Sequence, residues 1–267
     1  MAVDLAGGCR VSAMREGNPH VVGTLSIWNR VDRATGAKAI SLRILEFGVG
    51  LSPALRNQES DEVLYVLEDL ENASKPKRCT VFIDGRPHRV QAQTGIYLRP
   101  GQALMVDIPG PDAVCFVSSK CPDSDADGIV PLRSLELVFT DLPEPEPTPV
   151  VRLSDQREMP TGDRWYRVLV DREVGSEQVT QFVGSIPPGR APDHFHEYEE
   201  VLFILRGEGR MWAGQTNTPI TPGSCIYLPR KQVHCVENTG TGELRLLGVF
   251  YPAGSPAVRY ESTDERG

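Results

Sequence analysis

Residues 189–207 read Gly-Arg-Ala-Pro-Asp-His-Phe-His-Glu-Tyr-Glu-Glu-Val-Leu-Phe-Ile-Leu-Arg-Gly, and the fold follows from how this stretch is read. An apolar run from Val201 to Leu205 begins after the proline at 192 and stops at Gly207-Glu-Gly209. A run this short between turn signals fits a buried strand better than a helix. Side chains of an extended chain alternate between two faces, so His194, His196 and Glu200 project together while Glu199 points away. Parity, not charge, selects Glu200 over its neighbour. Leu202 and Ile204 continue the same face and are expected to line an apolar interior beside the polar cluster.

A third imidazole lies further along, where His234 follows Gly223-Ser-Cys-Ile-Tyr-Leu-Pro229-Arg-Lys-Gln-Val. A turn at Pro229 to Lys231 would bring the next strand back across the same interior. Three imidazoles and one carboxylate suit a first-row divalent metal, and an octahedral ion would keep two positions for substrate, water or dioxygen. Structural zinc favours closed sites, often with thiolates, and no cysteines cluster here. Two further residues are catalytic candidates. Tyr198 shares the ligand face, and Arg245, in the apolar run 244–251, has the fork geometry to anchor a substrate carboxylate. For both, ordinary packing is the competing reading, as it is for Tyr227, Trp212, Phe182 and Tyr251 as pocket walls.

The same landmarks occur twice. Asp61 to Asp69 (DEVLYVLED) echoes Tyr198 to Gly207 (YEEVLFILRG), and Gly95 to Gln102 (GIYLRPGQ) echoes Ser224 to Gln232 (SCIYLPRKQ). The first copy is longer between its landmarks, which places a longer hairpin loop near Glu68 to Lys77. Ala54 to Lys75 holds no Gly or Pro, and Val63, Val66, Leu67 and Leu70 sit at helical spacing. Its repeat partner argues for strand. Between the copies, Leu142-Pro-Glu-Pro-Glu-Pro-Thr-Pro-Val150 reads as a stiff polyproline II spacer. The expected division is a first unit over 1–142, a spacer over 143–149 and a second unit over 150–267. Carried back by the repeat offset, the ligand positions fall on Arg56 for His194, Gln58 for His196, Glu62 for Glu200 and Leu104 or Met105 for His234. A guanidinium has no lone pair to give a metal, so the first copy is expected to hold none. Arg56 with Glu62 is left as either an internal ion pair or an anion pocket.

Composition narrows the field. With 25 glycines and 22 prolines in 267 residues, turns recur throughout and long helices are disfavoured. A balance of 28 basic against 36 acidic residues argues against nucleic acid and against an anionic membrane surface as partners. No apolar run is long enough to span a bilayer, and the first residues show no processing pattern. Six cysteines without a C-x-x-C pair read as reduced thiols, and hence a cytoplasmic location is expected. Asp123-x-Asp125-x-Asp127-Gly128 imitates a calcium loop, but Ser134 stands at its twelfth position, so an acidic surface turn is the better reading.

In these motifs the chain resembles the cupins. His194, His196, Glu200 and Gly207 match the spacing of that family's first motif, and Gly223, Pro229, His234 and Asn238 match its second. Lys231 stands where the family usually has glycine, and Gly189 lies one residue closer to His194 than usual. The resemblance, extended by the repeat, implies an all-β bicupin of two tandem jelly-roll β-barrels, with the metal inside the second. It further implies one divalent transition metal per chain, with Fe2+ or Mn2+ favoured over Ni2+, Cu2+ or Zn2+, and a small, anionic organic substrate. Cupins with this ligand set include dioxygenases, decarboxylases, isomerases and lyases. The expectation is a dioxygenase. Non-oxidative isomerisation, decarboxylation or elimination is the alternative, and a non-catalytic metal- or small-molecule-binding protein is a third reading. Two tandem barrels fit a monomer or a homodimer.

Overall fold

Short apolar runs punctuated by glycine and proline become strands throughout. The computed structural model describes residues 1–69, 78–123 and 147–257, and among these the only helical turns are four three-residue 3-10 segments. No described helix is long and apolar enough to cross a membrane. Residues 70–77, where the longer hairpin loop is expected, the residues Asp125 and Asp127, and most of the proline spacer lie outside the described residues. Asp123 itself pairs with Lys120 at 3.1 Å.

Each half sets a large antiparallel sheet against a small one, giving two jelly-roll barrels. The first half has a seven-stranded sheet, with Leu42–Phe47, Asp61–Val66, Thr94–Leu98 and Val114–Cys121 at its centre. It faces a small sheet built on Arg78–Ile83, Arg86–Gln91 and Ala103–Ile108. Asp84 and Gly85, both with positive φ, make the two-residue hairpin turn between the first two of these. The second half has an eight-stranded sheet containing Arg164–Val170, Thr180–Ile186, Glu199–Arg206, Ser224–Leu228 and Leu244–Tyr251. Gly209–Ala213, Thr216–Ile220 and His234–Asn238 lie in the four-stranded sheet opposite.

Each barrel has its own interior, formed around Phe47, Leu64 and Phe116 in the first and around Phe182, Leu202 and Phe250 in the second. A further apolar cluster lies between the halves, where Ile44, Tyr65 and Val117 meet Val183, Val201, Phe203 and Val249. The large sheets therefore bury both faces of their central strands. This is why Asp61–Val66 and Glu199–Arg206 show no apolar–polar alternation and why the first could be mistaken for a helix. The strand reading holds for both.

The sheets also exchange strands. Arg10–Ala13, near the chain start, pairs with Ser224–Leu228 in the second half's sheet. Val150–Arg152, just after the spacer, pairs with Thr94–Leu98 in the first half's sheet.

Two matching polar latches join the halves. Glu199, the carboxylate that parity sends away from the interior, accepts the backbone N–H groups of Lys38 at 2.9 Å and Ala39 at 2.7 Å. It also accepts the Tyr227 hydroxyl at 2.6 Å. In the mirror arrangement Asp61 accepts the Tyr97 hydroxyl at 2.6 Å and the Gln178 amide at 3.1 Å. Each latch loop begins at an Asp-Arg-x-x-Gly turn, 32–36 or 171–175, whose aspartate accepts from the backbone of its own 3-10 segment and whose glycine takes positive φ. The signature is visible in the sequence at both positions.

Candidate metal centre

His194 and His234 sit directly opposite each other across an isolated antiparallel bridge and exchange both backbone hydrogen bonds, at 3.1 and 2.9 Å. Their rings approach to 4.6 Å between centroids. His196 lies on the same side, 4.9 Å from the His194 ring and 5.3 Å from that of His234. One nitrogen from each of the three falls within 4.8 Å of the others. Glu200 reaches this group from the start of its strand, with Oε2 3.6 Å from His196 Nε2. The four sequence-derived ligand candidates thus converge. The chain bends at Glu197 and Tyr198, so the alternation rule works on either side of the bend rather than through it.

The ring orientations are set by the chain itself. Nδ1 of His194 lies 3.0 Å from the Pro192 carbonyl and Nδ1 of His234 lies 2.8 Å from the Gln232 carbonyl. A carbonyl oxygen only accepts, so both Nδ1 atoms carry the proton and each Nε2 carries the lone pair of the kind a metal takes. Burial, with His194 nearby, pushes the His234 pKa down to about 4, which keeps the ring neutral near pH 7. Burial pushes the Glu200 carboxyl the other way, up to about 8. A buried carboxylate beside neutral imidazoles is the donor set a divalent cation compensates, so these residues fit such an ion.

The turn before His234 contributes too. Lys231, at the family's glycine position, adopts a left-handed φ of 63°, and its N–H donates to the His196 carbonyl at 2.7 Å. A side chain in this conformation costs about 1–2 kcal/mol that glycine avoids. The contact ties the turn carrying His234 to the segment carrying His196.

The cluster opens into a pocket with about 650 Å3 of free space, part of it open to solvent. Phe182, Tyr166, Leu202 and Leu246 form its walls, together with Ser185 and Arg164. Ile204 is buried within the barrel interior without lining the pocket. Tyr198 is sandwiched between the His196 ring, stacked at 4.7 Å, and the Phe250 ring at 4.2 Å. It backs a ligand and is not among the residues that line the pocket. Arg245 is not in the pocket either. Leu244 and Leu246 face the barrel interior, so alternation turns Arg245 outward, where it pairs with Glu243 at 2.5 Å and lies over Trp165. The pocket's guanidinium belongs to Arg164, which the sequence reading passed over because it stands in a mixed polar–aromatic run without a motif. Cys235 faces away, as alternation requires, and contacts Arg190.

In the first barrel, register corrects the sequence-derived counterparts by one residue. Leu55 opposes Leu104 as His194 opposes His234, so Leu55 rather than Arg56 replaces His194, and Asn57 rather than Gln58 replaces His196. The partner of Glu62 is Arg43, not Arg56: Arg43 Nη2 binds Glu62 Oε1 at 2.5 Å and Ser118 at 2.9 Å. Asn57 and Ser118 also donate to the same carboxylate. Arg43 holds the position that Phe182 has in the second barrel, since Arg43 opposes Ser118 and Phe182 opposes Gly248. A fixed guanidinium therefore neutralises the retained glutamate.

Comparison with known proteins agrees with this geometry. The family model described as "Cupin domain" matches residues 182–250, the span that carries all four candidate ligands. Its second half therefore carries a cupin domain. Among its relatives, this chain is 31% identical over 86 residues to auxin-binding protein 1 of Arabidopsis thaliana, covering 28% of the chain and 43% of that protein. It is 36% identical over 67 residues to the oxalate-binding protein of Thermotoga maritima, covering 24% of the chain and 55% of that protein. The aligned part of the chain thus spans about half the length of these relatives. The bicupin architecture matches the structure of oxalate decarboxylase from Bacillus subtilis at a TM-score of 0.68 and 14% identity, over 91% of this chain and 76% of that one.

Proposed function

We propose that the C-terminal barrel, residues 150–267, is the catalytic unit of a metal-dependent enzyme acting on an anionic organic molecule. His194, His196, Glu200 and His234 hold one divalent ion per chain. The N-terminal barrel, residues 1–142, is its metal-free structural partner across the spacer 143–149. One observation carries this reading: three imidazoles and a buried carboxylate converge at the head of a walled pocket.

A bound divalent ion supplies Lewis acidity and a place for an anionic oxygen. Three neutral imidazoles and one carboxylate leave such a site at net positive charge, which favours a carboxylate or enolate. The chain's own residues orient the ligand nitrogens, exclude water with Phe182, Leu202 and Leu246, and support His196 from behind with Tyr198. Mixed nitrogen and oxygen donors favour Mn2+ or Fe2+. Non-oxidative chemistry, decarboxylation above all, is the reading supported by the relatives named for oxalate. A dioxygenase is the second reading, favoured by the apolar wall at Leu202.

Metal analysis of the purified protein tests the assignment: one equivalent is expected, lost in His194→Ala. Two equivalents, or unchanged metal in the variant, would overturn it. Turnover that continues without oxygen selects the non-oxidative reading; turnover that stops selects the dioxygenase.

A further inference from the structure

Residues 5–13 are built into the second barrel, although they precede the whole of the first. Leu5, Cys9 and Val11 are buried in its interior. Arg10 to Ala13 pair with Tyr227 to Ser224, the strand that leads into the turn before His234. Between these anchors Ala6–Gly8 forms a 3-10 turn with Gly7 at φ 67° and Gly8 at φ 87°, closed by the Leu5 N–H donating to the Cys9 carbonyl at 2.7 Å. The Ala6 N–H donates to Thr216 Oγ1 at 2.8 Å, and that hydroxyl donates to the Ala213 carbonyl at 2.8 Å.

Beneath this segment lies the seat of a candidate ligand. The Gln232 carbonyl accepts the His234 Nδ1 proton at 2.8 Å. The Gln232 side chain folds back so that Nε2 donates to the Val233 carbonyl at 2.8 Å, an oxygen that also accepts the Gly214 N–H at 3.2 Å. The two carbonyls ahead of His234 are thus both held, one by the imidazole and the other by the Gln232 amide. Gly7 closes over that amide. A Cβ on Gly7 would lie 1.4 Å from Gln232 Oε1 and 2.4 Å from its Cδ, so the carboxamide fills the space a side chain there would take. The carboxamide is the far end of a flexible side chain, so an added methyl displaces it before it moves the backbone. Gly8 differs, because its Cβ would meet only Pro229 Cγ, at an ordinary contact distance of 3.5 Å.

We infer that Gly7 is a positioning residue for the metal centre: it seats the Gln232 amide, and Gln232 in turn fixes the backbone and ring of His234. This inference rests on the proposed metal site and adds a segment from the far end of the chain that holds one of its ligands in place. Neither Gly7 nor Gln232 touches the ion.

Two readouts on the full chain test it: Mn2+ affinity, and hydrogen exchange of the His234 ring N–H in metal-free protein, followed by NMR. Gly7→Ala is expected to weaken Mn2+ binding about tenfold, the lower end of what partners of a ligating histidine contribute. It should speed His234 ring exchange and leave that of His194 unchanged, since the His194 Nδ1 faces the Pro192 carbonyl, away from the segment. Gly8→Ala places similar left-handed strain on the same turn without reaching Gln232, so it should lower the melting temperature alike and leave both readouts at wild-type values. Gln232→Ala, which adds no such strain, should reproduce the Gly7→Ala losses, and the double variant should lose nothing further. Equal losses in the two glycine variants, or a Gly7→Ala loss undiminished in the Gln232→Ala background, would overturn the inference. Should Gly7→Ala fail to fold, wild-type affinity and exchange in Gln232→Ala overturn it alone. Wild-type protein that binds no Mn2+ refutes the metal reading, whereas His234 exchange, read without metal, still decides the positioning role.

Discussion

Glu62 and Glu200 are counterparts in the two halves, and each buried carboxylate is handled differently. Glu62 has a permanent cation in Arg43, whereas Glu200 has imidazoles and, without metal, a pKa raised by burial to about 8. This difference gives a pH prediction. A group whose folded pKa exceeds its unfolded value of about 4.3 stabilises fully below that value and loses the effect as pH rises to the folded pKa. Metal-free protein should therefore lose stability as pH climbs toward about 8. A bound cation keeps Glu200 ionised and removes that slope. His234 acts oppositely: its pKa is depressed to about 4, so its contribution is present above the ordinary histidine range and lost as pH falls through about 4. Melting temperatures of chelated and metal-loaded protein should diverge with rising pH and run parallel above about pH 8; a constant gap would show that Glu200 does not change protonation on binding. The ligands themselves were legible from sequence, because His194, His196 and Glu200 lie close together and obey alternation. Arg43 was not, because it reaches Glu62 through an intervening strand and leaves no local pattern.

Along the strand Glu199–Arg206, adjacent acids serve opposite faces: Glu200 turns to the imidazoles and Glu199 to the other half of the molecule. Removing Glu199 leaves two backbone donors and the Tyr227 hydroxyl without their acceptor, at about 1–3 kcal/mol for each buried group so stranded. Glu199→Ala should lower the melting temperature by several degrees yet retain its metal below that temperature. Glu200→Ala should do the reverse, keeping its fold and losing the ion. Chemical denaturation and metal analysis of the two variants would distinguish them, and metal loss in both would mean that the latch and the ligand set are not separate. The sequence revealed this strand and its parity, but not what lay behind it. An apolar run buried on both faces looks alike whether it is covered by helices, by a sheet or by a second barrel.

The whole molecule depends on its interface. Apolar surface from both large sheets, including Tyr65, Phe203 and Val249, is buried between the halves, and exposing a patch of this kind promotes aggregation. Residues 150–267 expressed alone should therefore be poorly soluble, and co-expression with residues 1–149 should restore a soluble species of full size on gel filtration. A soluble, metal-loaded second half on its own would show that the interface is dispensable. The strand exchange adds a further consequence. Because Arg10–Ala13 completes the second half's sheet and Val150–Arg152 the first half's, the chain has the form of a strand-swapped homodimer joined into one polypeptide. In a true homodimer every substitution appears in both copies, so a metal site could not be given up in one without losing it in the other. Covalent fusion lifts that constraint. The outer faces here still bind each other as twins, while the inner faces have diverged, with Leu55, Asn57, Leu104 and Arg43 filling one barrel where imidazoles and an open pocket occupy the other.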